Sequence, residues 1–189
     1  MEINQAVEEA VKVLREGGVI LYPTDTIWGL GCDAADPKAV EKVFQIKKRA
    51  DSKSLIILVD GLEMLYRYVK EVPEIAAQLI EVNDQPLTII YPGAINLAPN
   101  VIAEDGTVGI RVSDHPFCKR LISRFRKPIV STSANISGEN SPASFHSISK
   151  EIEDAVDWIA DPIFEDGSTG KPSSIIKLGL SGEIKIIRK

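Results

Sequence analysis

The sequence predicts an α/β protein, one domain whose mostly buried sheet is flanked by helices. Three observations predict it. Amphipathic helical patterns alternate with short apolar runs along the whole chain. The run Leu55 to Val59 is continuous and rich in β-branched residues, as in a central strand covered on both faces. Finally, 189 residues at 44% apolar content fit one domain, 1–189, with a substantial core.

In order, Asn4 to Glu16 reads as a helix with Ala6, Val7, Ala10, Val11 and Leu14 on one face, stopped by Gly17-Gly18. Val19 to Tyr22 is a short buried strand. Pro23 to Gly31 is a loop rich in hydroxyls and glycines. Asp36-Pro37 supplies an N-cap and a proline at the first helical position, opening a helix through Val40, Val43, Phe44 and Ile46. That helix ends in cations, which suit its C-terminal dipole. Further helices are expected over Gly61 to Val69, Glu74 to Val82, Pro116 to Phe125 and Ile148 to Ala155. Strands are expected over Leu87 to Tyr91, Thr107 to Val112 and Ile129-Val130, with a terminal hairpin of Ser174 to Leu178 and Ile184 to Ile187.

Composition narrows the function. A net charge of −5 argues against a general nucleic-acid coat but leaves room for a local basic cleft. No window approaches the roughly 20 apolar residues of a membrane span, and the N-terminus carries no signal-peptide pattern, so a soluble cytoplasmic protein is expected. Cys32 and Cys118 form neither a disulfide framework nor a metal-like spacing and read as buried thiols. With two histidines, His115 and His146, a His-dependent hydrolytic triad is disfavoured, and no cluster has zinc spacing.

Two short motifs are weak. Gly167-Ser168-Thr169-Gly170-Lys171 is too short for a phosphate loop, and Pro172 stands where a magnesium-binding hydroxyl belongs; its Gly and Ser content makes 167–174 a candidate lid. Gly29-Leu30-Gly31 fits a relaxed dinucleotide fingerprint, yet a polar hexamer separates it from its strand. Close-packed glycines in a turn are the simpler account.

Two polar clusters stand out. Lys47, Lys48, Arg49 and Lys53 concentrate four cations within seven residues, and Ser131-Thr132-Ser133-Ala134-Asn135-Ile136-Ser137-Gly138 follows another apolar run. If both clusters meet over one sheet, with Thr24 and Thr26 after a third strand, they form a site for a phosphorylated ligand. Cations can neutralise a leaving pyrophosphate, while hydroxyls and backbone amides cradle phosphate or carboxylate oxygens.

At these residues the sequence resembles the YrdC family, the threonylcarbamoyl-adenylate synthases of tRNA modification. The resemblance spans nearly the whole chain. It rests on Tyr22-Pro23-Thr24-Asp25-Thr26 with Gly29-Leu30-Gly31, on Lys47-Lys48-Arg49, and on Pro86-Leu87-Thr88. It continues through Thr107 to Val112, His115-Pro116, Ser131 to Gly138 and Pro172-Ser173-Ser174. It implies a twisted open mixed sheet (YrdC/RibB-like) with a concave, positively charged face. It also implies a reaction in which L-threonine, bicarbonate and ATP, with Mg2+, give threonylcarbamoyl-AMP and pyrophosphate. Downstream threonylcarbamoyl-transferase proteins would then modify adenosine 37 of tRNA.

Carried over by motif, Thr26, Arg111 and Ser131 would bind L-threonine, with Arg111 on its carboxylate. Lys47, Arg49, Lys53, Thr107, Ser133, Asn135 and Ser141 would bind ATP, and Lys47, Arg49, Ser133 and Asn135 would carry catalysis. No protein-held metal site is implied. The chain departs from the family at Val82 to Pro86, where Trp-Pro-Gly-Pro is usual. It departs also at Ala50, Ser54, Leu58 (a histidine in some relatives) and Ser174. Two other readings remain open: a non-catalytic module or diverged paralogue binding double-stranded RNA or tRNA in the same basic cleft, and a dinucleotide-dependent oxidoreductase on Gly29–Gly31.

Overall fold

In the computed structural model, which describes residues 2–48 and 55–189, one sheet runs through the molecule. Its strands are β1 (Ile20–Tyr22), β2 (Gly29–Gly31), β3 (Ile56–Val59), β4 (Leu87–Tyr91), β5 (Val108–Val112), β6 (Ile129–Ser133), β7 (Trp158–Ile159), β8 (Ser174–Leu178) and β9 (Ile184–Arg188). Their order is β7-β1-β2-β6-β3-β5-β4-β8-β9. The sheet is mixed: β1–β7, β3–β5 and β4–β8 are parallel, and the other neighbours are antiparallel.

Helices cover the sheet. They are α1 (Ile3–Arg15), α2 (Pro37–Ile46), α3 (Leu62–Leu65), α4 (Glu74–Val82), α5 (Pro116–Phe125) and α6 (Lys150–Ala155). Helix α1 buries Ala6, Val7, Ala10, Val11 and Leu14, the stripe that the 3.6-residue period predicts, and packs against α5. Gly17 ends it at φ 73°, and the amides of Gly17 and Gly18 return to the Leu14 and Val13 carbonyls. Helix α2 opens as expected, with Asp36 accepting from the Lys38 amide at 2.9 Å and Pro37 at the first position. No helix among the described residues is long and apolar enough to cross a membrane.

Three expectations are corrected. Gly29–Gly31 is a buried strand between β1 and β6, not a turn, so the dinucleotide fingerprint fails for want of a strand-to-helix turn. A Cβ on Gly31 would lie 2.5 Å from the Tyr22 ring and 2.8 Å from the Val130 carbonyl oxygen; the glycine permits that approach within the sheet. The helix expected over 61–69 closes after Leu65, because the chain is captured by residues 93–95. There Ile95 donates to the Tyr68 carbonyl and Lys70 to that of Gly93, beside a Val69–Ala94 bridge.

The strand begun at Ile129 runs on through Ser133, so the hydroxyl cluster starts inside the sheet rather than after it. Gly167–Lys171 leads into strand β8 and not a helix, which agrees with the rejection of a phosphate loop on its spacing. The centre of the sheet is buried, whereas every residue of β9 is exposed.

Candidate active-site cleft

A cleft of about 770 Å³ opens over the central strands. Eight of the residues selected from the sequence line it: Thr26, Lys47, Thr107, Arg111, Ser131, Ser133, Asn135 and Ser141. Arg49 and Lys53 lie outside the described residues. Lys47, Lys48, Arg111 and Arg188 bring four cations to its walls, and no Asp or Glu is among the described lining residues. In a chain of net charge −5, that segregation of charge makes the cleft the place for an anion.

Arg111 on β5 sits at its floor, 2% exposed. Its Nε and Nη2 both donate to Asp25 Oδ1, at 3.1 and 2.9 Å, and Nη2 also donates to Thr26 Oγ1 at 3.2 Å. The guanidinium is thus oriented by the loop after β1, and Nη1 is its nitrogen without a hydrogen bond among the described residues. That loop is braced from behind by 168–170. Ser168 donates its hydroxyl to the Thr24 carbonyl, and the amides of Thr169 and Gly170 donate to the Asp25 and Thr26 carbonyls. The segment considered as a lid is in this structure a buttress.

The two polar clusters do meet. Lys47, at the C-cap of α2 and 2% exposed, donates from Nζ to the Ser133 carbonyl at 2.6 Å and the Asn135 carbonyl at 2.8 Å. The Ser137 amide returns to the Lys47 carbonyl at 3.0 Å. Lys47 is therefore a pin that shapes the loop after β6, besides placing a charge at the cleft. Asn135 Nδ2 donates to the Ile136 and Glu139 carbonyls, while its buried Oδ1 has no partner among the described residues. Lys48, adopting φ 52°, points to Glu151 at 2.7 Å on the surface.

Thr107 donates its hydroxyl to Asp105 Oδ1 at 2.6 Å, and Lys177 reaches Oδ2 at 2.9 Å. The Thr107 bond above all, and then Lys177, hold the Asp105 carboxyl down to about 2. Three contributors were missed from the sequence. Thr88 on β4 and Ser173 just before β8 share a 2.7 Å hydroxyl contact on the wall. Arg188, in an exposed terminal strand, donates Nε to the Ser173 carbonyl at 2.9 Å. Burial, and then the like charge of Arg111, lower the Arg188 pKa. Thr88 and Ser173 stand in motifs that carry the resemblance but were given no role there, and no local pattern marks Arg188, which only strand pairing brings to the cleft. Leu58, in register with Arg111, is fully buried and does not line the cleft.

A second cavity, about 330 Å³, lies on the other side of Asp25 and is lined by His115. The imidazole is 3% exposed and neither nitrogen closes a hydrogen bond of normal geometry, though the ring lies against the Phe164 and Asp166 backbone. Burial lowers its pKa, with Asp25 opposing.

An open mixed sheet with a cation-lined, hydroxyl-rich cleft defines an α/β protein built to hold anionic small molecules. The chain belongs to the Sua5/YciO/YrdC family, described as "Telomere recombination", whose profile matches residues 12–189. It is 33% identical over 187 residues to the threonylcarbamoyl-AMP synthase of Pseudoalteromonas translucida (strain TAC 125), covering 97% of this chain and 98% of that one. The H234A/Y235A variant of P. abyssi Sua5 superposes with a TM-score of 0.87 at 31% identity, covering all of this chain and 57% of that one. P. abyssi Sua5 complexed with L-threonine gives 0.79 at 31% identity, covering 94% of this chain and 52% of that one. The chain thus spans little more than half the length of the Sua5 proteins it matches.

Proposed function

We propose that this chain is a threonylcarbamoyl-AMP synthase, a nucleotidyltransferase acting in tRNA modification. The observation that carries the reading is the convergence of Thr26, Lys47, Thr107, Arg111, Ser131, Ser133, Asn135 and Ser141 on one cleft, with no Asp or Glu among its described lining residues. Its volume of about 770 Å³ suits a nucleotide beside an amino acid. The similarity to the P. translucida synthase supports it over nearly the whole chain.

The chemistry needs no protein nucleophile. The threonine amine combines with bicarbonate, losing water, to give a carbamate. A carbamate oxygen then attacks the α-phosphorus of ATP; that P–O bond forms, the bond to the β-phosphate oxygen breaks, and pyrophosphate leaves. Catalysis is orientation plus charge stabilisation. Arg111 takes the threonine carboxylate, with Thr26 and Ser131 beside it. By the family motif Arg49 and Lys53 bind the polyphosphate together with the charge of Lys47, while Thr107, Ser133, Asn135 and Ser141 hold the nucleotide. Mg2+ enters on the ATP phosphates; among the described residues no group of three His, Cys, Asp or Glu is placed to hold a metal. The adenylate passes to transferase proteins that act on adenosine 37 of tRNA in the cytoplasm.

The test is pyrophosphate release from ATP with bicarbonate, with and without L-threonine, and with serine as the comparison. Threonine-dependent release, with threonylcarbamoyl-AMP detected by mass spectrometry, is expected. Absence of release, together with RNA binding that weakens steeply with salt, would replace this reading with the RNA-binding one.

A further inference from the structure

The cavity behind Asp25 is the electrostatic opposite of the cleft and stands apart from the synthase reading. Asp25, Asp84 and Asp114 line it, with no Lys or Arg among its described lining residues. Asp114 pairs with Lys119 at 2.8 Å, whereas Asp84 has no ion pair among the described residues. Asp25 spends Oδ1 on both Arg111 nitrogens, and its Oδ2 receives no hydrogen bond among the described residues. Its side chain is 12% exposed, and because it lines this cavity and not the cleft, the exposed part opens here. Burial lowers the pKa of the neighbouring His115, so at pH 7 its imidazole is neutral, with one N–H and one lone pair. The Phe164 and Asp166 backbone beside the ring can take the N–H, whereas the lone pair has no donor among the described residues.

The acceptors are spread rather than gathered. Asp25 is buried at the floor and Asp84 exposed at the rim, and among the described residues no three acids, histidines or cysteines converge as a metal site requires. Ile80, Leu87 and Val112 add an apolar wall, each half-buried. Separated negative charges beside an apolar wall complement a short aliphatic chain with an ammonium at each end. We propose that this cavity binds a short aliphatic diamine, with one ammonium donating to Asp25 Oδ2 and the His115 lone pair and the other lying at Asp84. A volume of about 330 Å³ suits a ligand of that size. Asp25 is then held from both sides, by Arg111 on Oδ1 and by the ammonium on Oδ2.

The experiment is an NMR titration of the full chain, at fixed ionic strength, with 1,4-diaminobutane, n-butylammonium, butyrate and Mg2+. The diamine is expected to saturate at about millimolar concentration, moving the Leu87, Val112 and Asp114 amides and leaving those of Ser133 and Asn135 in place. n-Butylammonium should bind several-fold more weakly, the worth of one exposed ion pair, and butyrate should not bind. Asp84→Asn should bring the diamine down to the affinity of the monoamine and leave the monoamine nearly unchanged. His115→Phe removes the acceptor at the floor and should weaken both amines by about tenfold. No saturation by the diamine, or shifts centred on the cleft, overturns the inference. So does equal binding of butyrate or Mg2+ at the same amides, or an Asp84→Asn protein that discriminates between the amines as the wild type does. If His115→Phe does not fold, the Asp84→Asn comparison decides alone. Pyrophosphate release is measured separately, so this inference and the synthase reading can each fail alone.

Discussion

Replacing Lys47 by methionine tests whether the K-x-R cation is a pin as well as a charge. Methionine keeps the length and apolar stem but removes the ammonium that satisfies the Ser133 and Asn135 carbonyls at 2.6 and 2.8 Å. The Ser133 carbonyl keeps the Asn135 amide at 2.9 Å, so the Asn135 carbonyl is the acceptor left without the ammonium, at a cost of about 1–3 kcal/mol. Relief from burying an ammonium offsets part of this, leaving about 1–2 kcal/mol. For a domain of this size each kcal/mol moves Tm by about 2–4 °C, so scanning calorimetry should record a fall of about 2–8 °C. Lys48→Met, which loses only the surface pair with Glu151, should leave Tm where it is. In the same protein the KM for ATP should rise more than that for threonine, because Ser133 and Asn135 lose their support. An unchanged Tm would refute the reasoning, since a carbonyl left without its donor on this scale is not silent.

Three further outcomes follow from the same geometry. Arg111→Lys keeps the charge but loses the fork on Asp25, and should cut threonine-dependent pyrophosphate release by at least about tenfold in a coupled assay. Gly31→Ala drives a Cβ into Tyr22 and the Val130 carbonyl and should cost about 1–3 kcal/mol in urea unfolding. Gly61→Ala, with nothing within 4 Å, should cost little. His115 has a lowered folded-state pKa, so the unfolded chain binds its proton first on acidification. Its contribution to stability is complete above the ordinary value, about 6.5, and is lost as pH falls below it. His115→Phe should flatten that part of the Tm–pH curve; an unchanged slope would show that His115 is not its source.

The strands and helices legible in the sequence are those whose patterns are local. Helices α1, α2, α4 and α5 show an apolar stripe or a cap, and β3, β4 and β5 are apolar runs bounded by turn residues. Gly29–Gly31 was illegible as a strand because glycine disfavours strands, and only pairing with β1 and β6 holds it there. The helix over 61–69 was overcalled because its bridge to Ala94 spans residues distant in sequence. Within the site, hydroxyl and cation clusters announce an anion by their chemistry alone. That Lys47 spends hydrogen bonds on carbonyls rather than leaving them all to a ligand could not be read from its neighbours.

By itself the sequence determined the fold class, the elements with strong local periodicity, and the residue types gathered at the cleft, since all of these depend on composition and spacing along the chain. The tertiary structure alone decided that Asp25 and Thr26 orient Arg111, and that Ser173 and Arg188 join the wall. Those contacts join residues brought together by strand pairing or by the fold of one loop. Hydrogen-bond direction is a property of three-dimensional neighbours, and no spacing along a chain encodes it.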